Sequence, residues 1–129
     1  RIHYMQACCN MLGRAIGVPL SLQVDKPSLY LTDAEKATRI VETKRPYLVV
    51  NAGYKRDLTC KRWGHASYQE VATALKRNYD IVQIGDDRDI HKPLDGAINL
   101  IGKTSARQLF SLVYNSAGAI GGVTFLQHI

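Results

Sequence analysis

From residue 47 onward the chain alternates short apolar runs with polar or glycine-bearing breaks. Tyr47–Asn51, Asp80–Ile84, Ala97–Ile101 and Ala117–Ile120 are the runs. Each has the length of a strand and is too short for a helix. Each ends in small or polar residues: Ala52-Gly53 after the first, Gly85-Asp-Asp-Arg-Asp89 after the second, Gly102-Lys-Thr-Ser105 after the third, Gly121-Gly-Val-Thr124 after the fourth. Helical spacing fills two of the intervals. Residues 68–77 follow a capping Ser67 and turn Tyr68, Val71, Ala72 and Leu75 inward; residues 104–115 follow Thr104 or Ser105 and turn Leu109, Leu112 and Val113 inward. Continuous apolar runs belong to strands buried on both faces, and strands that alternate with helices belong to parallel sheets. The expected fold is α/β, a Rossmann-like parallel sheet with flanking helices, and ligands bind such sheets at the carboxyl ends of the strands.

The first third of the chain reads differently. Ile2, Met5, Cys9, Leu12 and Ile16 lie at helical spacing over residues 2–16, and Gly17-Val-Pro19 stops that helix. Leu20–Val24 alternates like a short strand or extended linker, and Leu29–Leu31 is a second extended piece. Thr32 or Asp33 caps a helix that runs to about Thr43, with Glu35 at the capping-box position three residues after Thr32. Arg45-Pro46 then punctuates. The expected division is an entry helix and linker over 1–45 and the Rossmann-like domain over 46–129. That domain is expected to be truncated at its C-terminus, because the chain stops at His128-Ile129 where a closing helix should begin.

Composition changes this picture little. With 46% hydrophobic and 22% charged residues the chain is an ordinary globular domain, and no apolar stretch approaches the ~20 residues of a membrane span. The net charge of +6 favours anionic partners without choosing among nucleotides, nucleic acid, acidic glycans and membrane surfaces. Three cysteines, Cys8, Cys9 and Cys60, leave one unpaired in any scheme, which fits a reducing compartment and hence the cytoplasm. There is no CxxC, and His3, His65, His91 and His128 show no ligand spacing, so no metal site is expected.

The candidate chemistry lies in the breaks. Gly102-Lys-Thr-Ser105 invites a phosphate-loop reading, but that motif needs a glycine at position 97, where Ala97 stands; Gly96 is one residue too far, and a helix start is the better reading. Lys55, Arg56, Lys61 and Arg62 share the long loop 52–66 with Trp63. They are either a diphosphate cradle at a strand's carboxyl end or a solvated basic loop with Trp63 tucked beneath it as core. Asp86, Asp87 and Asp89 are either ribose acceptors or turn and cap residues. Gly121-Gly122 followed by Thr124 and His128 offers amides, a hydroxyl and an imidazole to an anion. A nucleic-acid surface is a poorer fit, since a single aromatic neighbours the basic loop and no recognition motif is present.

Taken in order, these segments resemble glycosyltransferase family nine, the ADP-heptose:lipopolysaccharide heptosyltransferases and their relatives, over the second of that family's two Rossmann-like domains. His3–Gly17 is similar to the helix and turn entering that domain, Asn51-Ala-Gly53 to its Asn-Pro-Gly, and Lys61-Arg-Trp-Gly64 to its Lys-Arg-Trp-Pro. Gly85–Asp89 is similar to its Gly-Gly-Pro-x-Glu turn, Asn99–Ser105 to its Asn-Leu-x-Gly-Lys-Thr-Ser segment, and Ile120–His128 to its Ile-Gly-x-Asp-Ser/Thr-Gly-x-x-His segment.

The resemblance implies the C-terminal half of a GT-B-type, two-domain glycosyltransferase that transfers sugar with inversion and without a metal or other cofactor. Its donor would be a nucleotide diphosphate sugar, ADP-linked in the family. On that resemblance Lys61 stabilises the leaving diphosphate, Gly53 and Tyr54 line it, Asp89 holds the ribose, Thr104 meets the base, and Gly122, Thr124 and His128 lie near the diphosphate and donor sugar. The catalytic base would come from the other domain. The acceptor would be a glycan, lipid-linked or protein substrate of the cell envelope, met at the cytoplasmic face of the inner membrane; no nucleic-acid partner is implied. Two departures stand out. The family's aspartate falls on Val123 and its next glycine on Phe125, which implies a less polar and tighter sugar pocket; Gly64 replaces a proline. A retired, nucleotide-binding or interaction module of the same fold is the alternative these departures support.

Overall fold

The computed structural model describes residues 4–23, 28–54, 62–122 and 124–128. Its element order is α1 (Tyr4–Ile16), α2 (Asp33–Ala37), β1 (Tyr47–Asn51), α3 (His65–Leu75), β2 (Asp80–Gln83), β3 (Ile98–Asn99), α4 (Ala106–Tyr114), β4 (Gly118–Gly121) and a closing 3₁₀ helix (Phe125–His128). Among the described residues the sheet has four strands, all parallel, in the order β3-β2-β1-β4. No helix among the described residues is long and apolar enough to cross a membrane.

The apolar runs become strands because both faces of the sheet are covered. Tyr47 and Val49 of β1, with Val82, Ile84, Leu112 and Leu126, form a core on the α4 face; Val50, Ala52 and Ile81, with Tyr68, Ala72 and Leu94, form a second on the α3 face. The strand side chains therefore alternate between two buried layers, which is why the sequence shows an unbroken apolar run and not an alternating one.

Several boundaries differ from the sequence reading. The helix after the first strand begins at His65, with Gly64 and not Ser67 at its cap. Its first two turns are fixed by tertiary bonds: the His65 ring donates from Nε2 to the Pro93 carbonyl at 3.1 Å, and Gln69 accepts from the Asp95 amide at 2.8 Å. The expected helix to Thr43 ends at Ala37, although Thr32 and Glu35 do form the capping box. The Thr38 hydroxyl takes the Ala34 carbonyl at 2.7 Å, and Ile40 and Val41 turn onto the α4-face core instead of continuing the helix. The third run is a regular strand only over Ile98 and Asn99, and beyond them the Asn99 carboxamide accepts from the Ile101 amide at 3.0 Å and turns the chain. The fourth strand lies one residue later than expected, and Ser105, not Thr104, caps α4.

The entry segment forms its helix, yet Met5, Leu12 and Ile16 remain 40 to 56% exposed and Gly13 is its buried residue. The returning chain crosses Gly13 so closely that a Cβ there would lie 2.6 Å from the Val18 carbonyl oxygen. The Gln6 side chain accepts from the Leu22 amide at 2.8 Å. Further on, Arg107 of α4 pairs with Glu35 of α2 and donates to the Tyr30 carbonyl at 3.1 Å, and the Asn115 side-chain carboxamide donates to the Lys36 carbonyl at 3.0 Å.

Candidate active site

The strand order places the site. From β1 the chain steps to β2 and β3 on one side, then crosses back to β4 on the other, so the direction reverses between β1 and β4. In open parallel sheets the crevice outside the carboxyl ends at this reversal is where ligands bind. Here it is bordered by Asn51 to Tyr54 at the end of β1 and by Gly121, Gly122 and Thr124 at the end of β4. Gly121 faces Asn51 closely; a Cβ on it would lie 3.5 Å from the Asn51 Cβ.

The strand ends are built by local hydrogen bonds. The Asn51 carboxamide accepts from the Gly53 amide at 3.1 Å, the same two-residue turn that Asn99 makes. Beyond the paired strands the ladder continues through Ile84 to the Val50 carbonyl at 2.9 Å, Leu100 to that of Gln83 at 2.8 Å and Gly102 to that of Gly85 at 2.9 Å. Tyr54 exchanges backbone bonds with Ile90, which ties the loop after β1 to the loop after β2.

Of the residues expected in the site, Thr104, Asp89, Gly53, Tyr54, Gly122 and Thr124 all lie at this carboxyl edge, in strand order β3, β2, β1, β4. The row spans about 14 Å, three strand spacings of ~4.8 Å. His128 falls in the closing 3₁₀ helix. Lys61, with Lys55, Arg56, Cys60 and Val123, lies outside the described residues. Of the basic cluster, Arg62 is described, and its guanidinium sits over the Tyr54 ring, 4.3 Å from the centroid. Trp63 is not the buried core residue of the solvated-loop reading: it is 44% exposed and meets Tyr68 edge-on at 4.6 Å. Burial raises the Tyr68 phenol above its usual range, opposed by the nearby Gly122 backbone.

The three aspartates separate by role. Asp86 is a turn residue: it accepts from the Arg88 amide at 3.0 Å and pairs with the Arg88 side chain, which holds its carboxyl well below the usual range. Asp87 packs against Gly102, which has the left-handed φ of +67°. Asp89, like Asp87, makes no side-chain hydrogen bond with the described residues, so its carboxylate is unengaged. On the other side of β1, the Thr124 hydroxyl oxygen is buried and without a partner among the described residues.

One residue of the edge was missed by sequence reasoning. His91 occupies the notch between the ends of β1 and β2. A Cβ added to Gly53 would lie 1.8 Å from His91 Cε1, and one added to Gly85 would lie 2.0 Å from it. Both ring nitrogens are buried with no partner among the described residues. The loop that carries His91 is held firmly although no helix spans it. Buried Gln83 donates to the Lys92 carbonyl at 3.0 Å and accepts from the Leu94 amide at 2.7 Å, and Lys76 donates to the Asp95 carbonyl. Two glycines at adjacent strand ends were the available signal, since each asks what fills the space it leaves.

Comparison with known proteins places the fold and the family. No curated protein matches the chain. A solved structure of E. coli ADP-heptose lps heptosyltransferase II is similar to it, with 22% identity and a TM-score of 0.64 over 79% of this chain and 35% of that one. The chain thus spans about a third of the length of that relative, and at this identity the likeness speaks for the Rossmann-like fold. The model of glycosyltransferase family 9 (heptosyltransferase) matches residues 2–129. The chain belongs to glycosyltransferase family 9.

Proposed function

We propose that this chain is the donor-binding half of a GT-B-type glycosyltransferase, and that its carboxyl edge holds a nucleotide diphosphate sugar. One observation carries the reading: across the sheet, the described residues that the family resemblance assigns to base, ribose, diphosphate and sugar follow that same order. Thr104 serves the base and Asp89 the ribose. Gly53, Tyr54 and Lys61 serve the diphosphate, and Gly122, Thr124 and His128 the diphosphate and sugar. Sugar transfer to a glycan, lipid-linked or protein acceptor of the cell envelope proceeds with inversion, the acceptor being deprotonated by a base from the other half of the enzyme. Negative charge grows on the leaving diphosphate, and Lys61 with backbone amides at the strand ends meets it; no metal or other cofactor is required. The acceptor chemistry suits the cytoplasmic face of the inner membrane.

Val123 and Phe125 bear on the donor. Replacing a carboxylate that faces sugar hydroxyls by an apolar group leaves those hydroxyls unpartnered at a cost of about 1 to 3 kcal/mol each, so ADP-heptose is not the best donor. The same substitution favours a second reading, a retired member that binds nucleotide without transferring sugar. A transfer assay on the whole protein with a panel of nucleotide sugars decides. Turnover with inversion, reduced by about 2 to 4 kcal/mol in transition-state terms by Lys61→Ala and much less by Lys55→Ala, is expected. Equal, small losses from both substitutions would reduce the loop to a solvated basic surface. ADP-heptose turning over faster than every hexose nucleotide would make Val123 a neutral replacement. Nucleotide binding with no transfer to any acceptor would establish the retired module.

A further inference from the structure

We infer that His91 is a phosphate ligand of the bound nucleotide, an inference that rests on the donor cleft proposed above. The row along the carboxyl edge has Asp89 on the β2 side and Gly53 at the end of β1, and the His91 ring sits in the notch between Gly53 and Gly85. On the far side of β1 is Thr124. The buried polar side-chain atoms without partners among the described residues are the two His91 nitrogens and the Thr124 hydroxyl oxygen, and they bracket the end of one strand. Buried polar groups are normally hydrogen-bonded, so orphans on both sides of a single strand end mark a place where a polar ligand completes the bonding.

A diphosphate lying across Gly53 has oxygens on both sides of it. An imidazole N–H suits the nucleotide-side phosphate, and the Thr124 hydroxyl suits the sugar side. A turn about the His91 side-chain torsions carries a ring nitrogen out of the notch, and the glycines place no side chain in its way. The His91 backbone is meanwhile fixed by the Gln83 clamp on Lys92 and Leu94 and by the Tyr54–Ile90 pairing, so the imidazole is offered from a rigid base. The competing role is a wedge that fills the notch and never touches ligand.

Calorimetric titration of the protein with ADP, AMP and adenosine separates these roles. His91→Phe keeps a ring in the notch and removes both nitrogens. It should weaken ADP and AMP at least tenfold while leaving adenosine unchanged, and His91→Gln should recover part of the loss. Phenylalanine binding ADP as tightly as histidine, or losing adenosine to the same degree, would make His91 a wedge and overturn the inference while the donor cleft stands. Failure of the unsubstituted protein to bind any of the three would overturn the cleft and the inference together. If the phenylalanine variant does not fold, the imidazole ¹⁵N resonances of the unsubstituted protein decide. Movement of the His91 signals with ADP but not with adenosine supports the contact, and no movement with ADP refutes it.

Discussion

The two edges of the sheet treat polar groups in opposite ways. At the amino edge every polar group of the Arg45–Asp80 corner is used. Asp80 accepts from the Lys44 and Arg45 amides at 3.0 and 3.3 Å and from the Arg45 guanidinium at 2.8 Å, while Arg45 donates to the Lys76 and Arg77 carbonyls at 2.6 and 3.0 Å. Beside that corner the buried Tyr47 hydroxyl donates to the Leu112 carbonyl at 2.7 Å. At the carboxyl edge, the buried ring nitrogens of His91 and the buried Thr124 hydroxyl have no hydrogen-bond partner among the described residues. Bonds closed within the protein hold the fold; bonds left open on a rigid frame are what the proposed ligand would complete.

The largest effect expected from substitution at this edge comes from filling its notch. Gly53→Ala places a methyl group on the His91 ring, and overpacking of this kind costs about 1 to 3 kcal/mol. Adding His91→Ala should restore much of that loss, since the two residues share one space. A cycle of thermal or urea unfolding measures the coupling; additive losses would mean that the ring does not occupy the notch in solution.

Smaller, but opposite in sign at the two edges, are the effects of deleting single hydroxyls. Tyr47→Phe removes a made hydrogen bond at a buried site and should cost about 0.5 to 1.5 kcal/mol of stability without altering nucleotide affinity. Thr124→Val removes an unmade one. It should leave stability unchanged or slightly higher and weaken ADP binding. Equal destabilisation by both would erase the distinction between the edges.

The pH dependence is the mildest test. Hydrogen bonding to Arg107 foremost, then the Thr32 amide, lowers the Glu35 carboxyl to about 2, and Arg45 lowers Asp80 in the same direction. Both folded-state values lie below those of the unfolded chain, so both groups stabilise the fold fully above the ordinary carboxylate range near pH 4. That contribution is lost as pH falls through the folded values. Glu35→Gln should flatten the acid limb of a stability-versus-pH curve between about 4.5 and 2 and leave the curve above pH 6 unchanged in shape. An acid limb identical to that of the unsubstituted protein would remove the Arg107 pair from the account.

What the sequence made legible follows the same division. Continuous apolar runs located all four strands, because two-sided burial leaves a signal that needs no partner information. The capping box at Thr32 was legible because both partners lie within one turn, whereas the box that Ser105 makes with Gln108 was not read and the cap was left between Thr104 and Ser105. Long-range bonds were not legible. The start of α3 depends on Pro93 and Asp95, and the end of α2 on the pull of Ile40 and Val41 toward the core. In the site, spacing placed Gly53, Tyr54, Asp89, Thr104, Gly122 and Thr124 on loops after strands, but it could not distinguish the occupied Asp86 from the open Asp89. It also passed over His91, whose importance appears only when two glycines far apart in sequence face the same ring.

The central claim is that the carboxyl edge is the nucleotide cleft, and the backbone amide footprint of ADP tests it most directly. Titration should shift the amides of residues 53–54, 85–91, 102–104 and 121–124 and leave those of 44–47, 76–80 and 115–117, at the amino edge, in place. Shifts confined to the amino edge or to residues 4–23, with the strand ends unmoved, would contradict the account.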